Sequence, residues 1–474
     1  MNNPRYPLIF NDISETALTE LNPTIHVPSW LNGEFIRNAP SLFNLANFSL
    51  NHWFDGMSML HRFTFKSGKV FYQSKFLESN AYLSLINKHA LRSEEFATTP
   101  QQSWIKRIFN LIQNKLTDNN NVNIINLGKY YLAMTETDNH ALIDPLTLSV
   151  VKPHKYLDNI KYTLNLAHPL IEIENNTLYN IGIKFGRIST YNIYKTNIQT
   201  NTRQIIAKIP TKSPSYMHSF AKTQNFFILY ENPLKLSLSK LFFSQKPFIE
   251  NYIWTDSPVI FSVISTTGKI LMQIPHDNFF CFHMVNAFEE ANKIYLDLIV
   301  YPNADIIQSF YLNHKVNIDS NITSKLCRYI IDTATNSCSS TDLGANDLEF
   351  PCINNAYTQK AYNFIYAVAA TNNNFKLNSL IKLNLANMNS HQFWHQDDCY
   401  PGEPIFVPTP HSTTEDDGII IVVVGNPKTS TSFLLFLDAR SFTEITRVNL
   451  PHLLPMGLHG SFNNSMDKLT NLIC

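Results

Sequence analysis

Glycine is scarce in this chain, 13 among 474 residues. Its turns must therefore lean on asparagine, aspartate and proline, which reach turn geometry through side-chain hydrogen bonds or a fixed φ. No window holds the roughly 18 apolar residues that a membrane-spanning helix needs. The opening MNNPRYPLIFNDI has neither the basic nor the apolar region of a secretory signal. The expectation is a cytoplasmic protein, at most peripheral to a membrane. Neither sign of charge dominates, with Lys plus Arg and Asp plus Glu at 37 each, so no overall field draws the chain to nucleic acid. Six cysteines lie far apart with no CxxC pair. That spacing excludes a local cysteine-zinc or dithiol motif and reads as free thiols in a reducing compartment. Strict repeats are missing too, which argues against a WD40-type array.

What the chain does have is apolar bulk, 44% hydrophobic and 12% aromatic. Residues 1–30 read as a surface wrap. The segment 52–77 reads as strand, turn at Lys66–Gly68, strand, with Phe63/Phe65 and Val70/Tyr72 in alternation. Residues 79–118 look helical; in 103–116 the apolar Trp104, Ile105, Ile108, Phe109, Leu111, Ile112 and Leu116 oppose Lys106, Arg107 and Lys115. Beyond Asp118 short apolar runs alternate with Asn, Gly and Asp turns, as in 225–230, 259–265, 293–301, 418–425 and 432–438. A helical period recurs only in Leu234–Phe243. No linker divides the chain, so a single domain over 1–474 is expected. Many short antiparallel strands fit a sandwich, a barrel or a propeller. At roughly 40–50 residues per blade, the length favours a propeller.

Four histidines sit among apolar neighbours at strand ends. His283 lies in NFFCFHMVNAFEE (278–290), His168 in LAHPL, His218 in SYMHSF and His459 in LLPMGLHGSF. A buried imidazole must find partners for both ring nitrogens or cost the fold a few kcal/mol, about one lost buried hydrogen bond each. A metal on one nitrogen and a carboxylate on the other would satisfy both. Taken singly, each histidine is as well read as a core residue. Their separations of 50, 65 and 176 residues rule out a local metal motif, whereas a closed ring of blades can bring one histidine from each of four blades to its axis. HQFWHQDD (391–398) is the local rival, with His391 and His395 four apart. That spacing ligates only on a helix, and the polar segment reads as an exposed loop.

These segments, together with HWFDG (52–56), EFPCIN (349–354), PGEPIFVP (401–408) and TEDDG (414–418), resemble the carotenoid cleavage oxygenase family from about Asn32 to Phe462. The resemblance implies a seven-bladed β-propeller, all-β, with a helical dome that includes 79–118 over an axial iron. It implies one Fe(2+) per chain held by His168, His218, His283 and His459, with Glu136, Glu349 and Glu403 as carboxylate partners of the imidazoles. Glu349 is the expected partner of His283, while Glu289 and Glu290 are expected at the hairpin turn. The implied reaction is cleavage of a C=C bond of a carotenoid or apocarotenoid by O2, giving carbonyl products. A stilbene-like substrate is the alternative; stilbene-cleaving relatives use a lysine and a tyrosine, and no lysine adjoins Glu136. Retinoid isomerohydrolase chemistry and a non-catalytic carotenoid-binding propeller are the remaining readings.

The chain departs from the family pattern at Met57 and Ser58, at Ser219 and Gln224, and at Ala39, none of them an implied ligand. Trp53, Phe220, Phe282, Phe350 and Phe406 flank the matched motifs and are the expected lining of a substrate tunnel. Two apolar stretches, 103–116 and 234–248, are expected to contact a membrane surface.

Overall fold

The computed structural model describes residues 9–23, 27–45, 48–100, 103–113, 115–172, 175–312, 322–371 and 377–464. Cys474 and the first eight residues of the expected wrap lie outside them. Among these residues seven antiparallel sheets of four or five strands follow one another along the chain as the blades of a β-propeller. Blade I closes the ring. Its strand Gly33–Pro40 pairs on one side with Ser58–Lys66 and on the other with the C-terminal strand Gly460–Asn463, setting Glu34 against Asn463 and Arg37 against Gly460. Gly33 is required at this seam. It holds φ +147°, and a Cβ there would lie 2.4 Å from the Asn463 carbonyl oxygen.

Blades pack face to face, so a central strand is apolar on both sides. Gly418–Asn426 of blade VII shows how the sequence meets this demand. Ile419, Ile421 and Val423 join Phe63, Phe65 and Phe436 on one face, and Ile420, Val422 and Val424 join Tyr366 and Phe433 on the other. Alternation of side chains along a strand sends each set to its own inter-blade layer.

The cap over one end of the ring is made of short pieces. Asn80–Lys88 is a helix capped by the Ser79 hydroxyl, and Trp104–Ile112 is a second. Backbone hydrogen bonds from Trp53 N to Phe310 O (3.0 Å), Leu312 N to Asn51 O (2.8 Å) and Ile249 N to Phe96 O (3.0 Å) tie the pieces together. Asp55 of the HWFDG segment is fully buried and accepts from Ala97 N (2.8 Å) and Thr98 Oγ1 (2.6 Å). Burial pushes its carboxyl up to about 6, against those hydrogen bonds.

The structure corrects four sequence expectations. Within 1–30, Thr16–Leu21 is a true edge strand of blade I. Leu234–Phe243 is a short strand, Leu234–Leu236, followed by a helix, Leu238–Phe243, that starts at the Ser237 cap. HQFWHQDD is no loop: Gln392–His395 is the outermost strand of blade VI, and its Trp394 is buried. Arg107, placed by the helical period on the polar face, points inward and forms an ion pair with Glu94 at 2.7 Å. Its guanidinium also donates to the backbone carbonyls of Ser244 and Lys246. A helical period cannot tell a solvated cation from one that has a buried partner.

Phe63 tests the inter-blade layer. It is fully buried between Phe35 (ring centroids 5.6 Å apart) and Tyr72 (5.0 Å). Phe63→Ala is expected to cost about 3–5 kcal/mol in chemical denaturation; a loss below about 1 kcal/mol would show that the layer collapses around the cavity.

Candidate metal centre

Four imidazoles meet where the inner strands begin. His168 sits between the two inner pieces of blade III, Leu164–Asn165 and Leu170–Glu172. His218 precedes Ala221–Lys222 of blade IV, His283 lies inside Phe280–Glu290 of blade V, and His459 precedes Gly460–Asn463 of blade I. One ligand atom from each falls within 4.8 Å of all the others. The strand Phe280–Glu290 is irregular between Cys281 and Asn286, and such a bulge turns a side chain from the packed face toward the axis.

On their far nitrogens three of the rings meet carboxylates. His218 Nδ1 donates to Glu136 at 2.6 Å, His283 Nδ1 to Glu349 at 2.5 Å and His459 Nδ1 to Glu403 at 2.8 Å. The carboxylates are anchored in turn. Tyr216 donates to Glu136 (3.1 Å), Tyr301 (2.8 Å) and Phe350 N (3.0 Å) donate to Glu349, and Gly460 N donates to Glu403 (2.8 Å). Glu289 lies elsewhere, accepting from Asn225.

This arrangement fixes the tautomers. A ring that donates its Nδ1 proton to a carboxylate presents a bare lone pair at Nε2. His283 and His459 are both so committed, yet their Nε2 atoms are 3.2 Å apart. Neither can donate to the other, and two lone pairs at that distance repel unless a cation lies between them. The Nε2 atoms of His168 and His218 lie 2.9 Å apart, and their roles depend on the tautomer of His168. Burial holds the His168 imidazole well below its ordinary range, helped by the other three rings. Burial also lowers His283, with Glu349 opposing. Burial would raise the Glu349 carboxyl, but His283, Phe350 N and Tyr301 together bring it below the ordinary range. Neutral imidazoles backed by ionised carboxylates form a donor set suited to a borderline divalent metal.

Three of the four histidines, His218, His283 and His459, line a largely apolar cavity of about 1040 Å³ including its mouth. Of the five expected lining residues, Trp53, Phe282 and Phe350 face it. Phe220 and Phe406 do not. Phe220 packs with Met217, Ile209 and Phe227 between blades, and Phe406 stacks on Tyr366 at 5.6 Å. Sequence reading missed Phe54, Phe96, Phe310 and Tyr216, all on the wall. Phe54 and Tyr216 were visible as neighbours of matched motifs; Phe310 had no signal, since its segment reaches the wall through tertiary contacts such as that of its carbonyl with Trp53 N. Phe350 holds φ +52°, an uncommon conformation for an aromatic residue. That twist puts its ring 5.5 Å from His283 and 5.6 Å from His459. Glu95 also lines the cavity; burial pushes its carboxyl well up, and Thr117 Oγ1 donates to it at 2.7 Å.

Comparison with known proteins agrees with this geometry. The family model described as retinal pigment epithelial membrane protein matches residues 11–464. The mouse beta,beta-carotene 15,15'-dioxygenase is 30% identical over 92% of this chain and 87% of its own length. A mitochondrial carotenoid-cleaving dioxygenase of Macaca fascicularis is 31% identical, over 92% and 90%. A solved variant of the Synechocystis apocarotenoid oxygenase superposes with a TM-score of 0.87 at 25% identity, covering 96% of this chain and 98% of that one. The same Synechocystis enzyme has been solved with cobalt substituted, again with a TM-score of 0.87.

Glu349→Gln keeps the shape of the group behind His283 while removing its charge. Divalent-metal affinity, measured with Co(II) against a competing chelator, is expected to fall about tenfold or more; an unchanged affinity would detach Glu349 from the centre.

Proposed function

Because the chain belongs to the retinal pigment epithelial membrane protein family, the carotenoid cleavage oxygenases, we propose that it is an Fe(II) dioxygenase that cleaves a C=C bond of a carotenoid or apocarotenoid. His168, His218, His283 and His459 would hold the iron, and Glu136, Glu349 and Glu403 would orient three of these ligands. The observation that carries the reading is the set of converging Nε2 atoms, backed by carboxylates, at the floor of an aromatic cavity. Iron supplies the activation of O2. The protein's own part is placement. Trp53, Phe54, Phe96, Phe282, Phe310 and Phe350 offer flat apolar surface to a polyene and keep water from the reacting bond. The carboxylates hold the Nδ1 sides of His218, His283 and His459, so these three rings turn Nε2 to the axis. Burial raises the Glu95 carboxyl, which disfavours a fixed charge there on the tunnel wall.

The cap gives the substrate a route from lipid. Ile105, Phe109 and Phe243 are 63%, 52% and 78% exposed on two helices joined by Arg107. Exposed Lys106, Lys240 and Lys246 accompany them. An apolar patch rimmed with cations fits an anionic membrane surface. The chain on either side runs into Glu94–Phe96, Leu116 and Phe248 of the cavity wall. Leu241, in the same stretch, is fully buried and belongs to the core. The side chains of Trp104, Leu111 and Ile112, and all of Asn114, lie outside the described residues. No described helix is long and apolar enough to cross a membrane.

Three experiments test these readings. Fe(II)-loaded protein under air, offered apocarotenals and stilbenes, is expected to give aldehydes from the apocarotenals with O2 consumed; isomerised product without O2 uptake, or unchanged bound pigment, would replace the reading. His168→Ala should lose iron and turnover together. A Phe109→Ser/Phe243→Ser variant should pellet less with phosphatidylserine vesicles than the parent chain; equal pelleting would remove the membrane contact.

A further inference from the structure

The three carboxylates behind the imidazoles are each largely buried, and a carboxylate in such a place calls for partners besides the ring it serves. Glu136 and Glu349 each have a tyrosine hydroxyl to lean on. The loop of Glu403 passes a guanidinium, without an ion pair to the carboxylate, at Gly402. Arg37 sits in the middle of Gly33–Pro40, a strand buried at every position, and is only 5% exposed.

Its surroundings are shaped to it. Arg37 Nη2 donates to the Pro455 carbonyl at 2.6 Å. The two loops that carry Glu403 and His459 meet the guanidinium with glycines. A Cβ on Gly457 would lie 2.6 Å from Arg37 Cζ and 2.8 Å from Nε, and one on Gly402 would lie 3.4 Å from Nη1. Gly457 leaves no room for a larger residue without moving the cation, while a Cβ on Gly402 would only touch it. The backbone repeats the link, since Asn38 N donates to His459 O (3.0 Å) and Leu458 N to Asn38 O (3.1 Å). Burial lowers Arg37 to about 10, which leaves it a cation at neutral pH, and the charge of Glu403 acts in the opposite direction.

We propose that Arg37 is a positioning residue of the metal centre: it places a cation beside the Glu403 loop and, through the Pro455–His459 loop, holds His459 at the axis. The proposal rests on the metal reading above. Guanidinium and ligand never touch, so Arg37 acts only through the carboxylate and the loop. This gives the strand NGEFIRNAP a role that its place at the ring seam does not explain, since closure by backbone pairing would not call for a buried cation.

The test is Co(II) binding to the full-length chain, followed by the visible absorption of the bound ion and by chelator competition, with thermal unfolding of the metal-free proteins as the control for folding. R37Q is expected to weaken Co(II) binding about tenfold, and R37K to stay close to the parent because the charge remains. Combined with E403Q, R37Q should add little, since the two act along one path. G457A keeps the cation but crowds it out of place, and is expected to weaken binding too, which supplies a second reading should R37Q fail to fold. R37K as weak as R37Q, or losses that simply add in the double variant, would reduce Arg37 to a structural residue and overturn the proposal. Failure of the parent chain to take up Co(II) would instead sink the metal reading, and this role with it.

Discussion

The structure depends on one hydrogen bond made three times, from an imidazole Nδ1–H to a buried carboxylate. It commits the proton to the far side of the ring and leaves the near nitrogen as a bare donor. Made by His218, His283 and His459, it gathers lone pairs at one point on the axis. Two such nitrogens 3.2 Å apart repel each other, and a cation between them would remove that cost.

Meeting that demand takes the whole ring. The three ligand–carboxylate pairs each join different blades: His283 of blade V to Glu349 of blade VI, His459 at the start of the strand that closes blade I to Glu403 beside blade VII, and His218 of blade IV to Glu136 at the end of a blade II strand. No blade holds both partners of a pair. The centre therefore reports on ring closure, and closure at Gly33–Pro40 supports the centre. Local irregularities make the last adjustment: the bulge at His283 and the left-handed Phe350 both depart from the regular strand where a side chain must turn to the axis. Such departures are sustained by the inter-blade packing on either side.

The cap works by a different physics. Its helices are short and contribute little through their own hydrogen bonding. What holds them is a set of buried acids with specific partners, Asp55 on the Ala97–Thr98 turn, Glu95 on Thr117 and Glu94 on Arg107. These contacts let an aromatic wall stand over the axis while apolar residues such as Phe243 remain outside. The tunnel is apolar within and pinned by polar groups behind its wall.

Much of this was legible in the chain. The strand alternation and its length pointed to a large β-ring, and the four histidines stood out because an imidazole among apolar neighbours needs explanation. The motifs around them, read as a family resemblance, paired His283 with Glu349, 66 residues away. Where reading failed, the cause was consistent. Phe220 and Phe406 lie beside matched motifs but face inter-blade layers, because which side a residue takes depends on where the strand starts and bulges. Arg107 looked solvated until Glu94 and two carbonyls of a distant loop enclosed it. By itself the sequence determined which side chains could bind a metal, since donor chemistry belongs to the residue. Only the tertiary structure decided which aromatic rings line the cavity of the histidine cluster and which cations are buried beside it, because those are properties of neighbours brought together by ring closure from hundreds of residues apart.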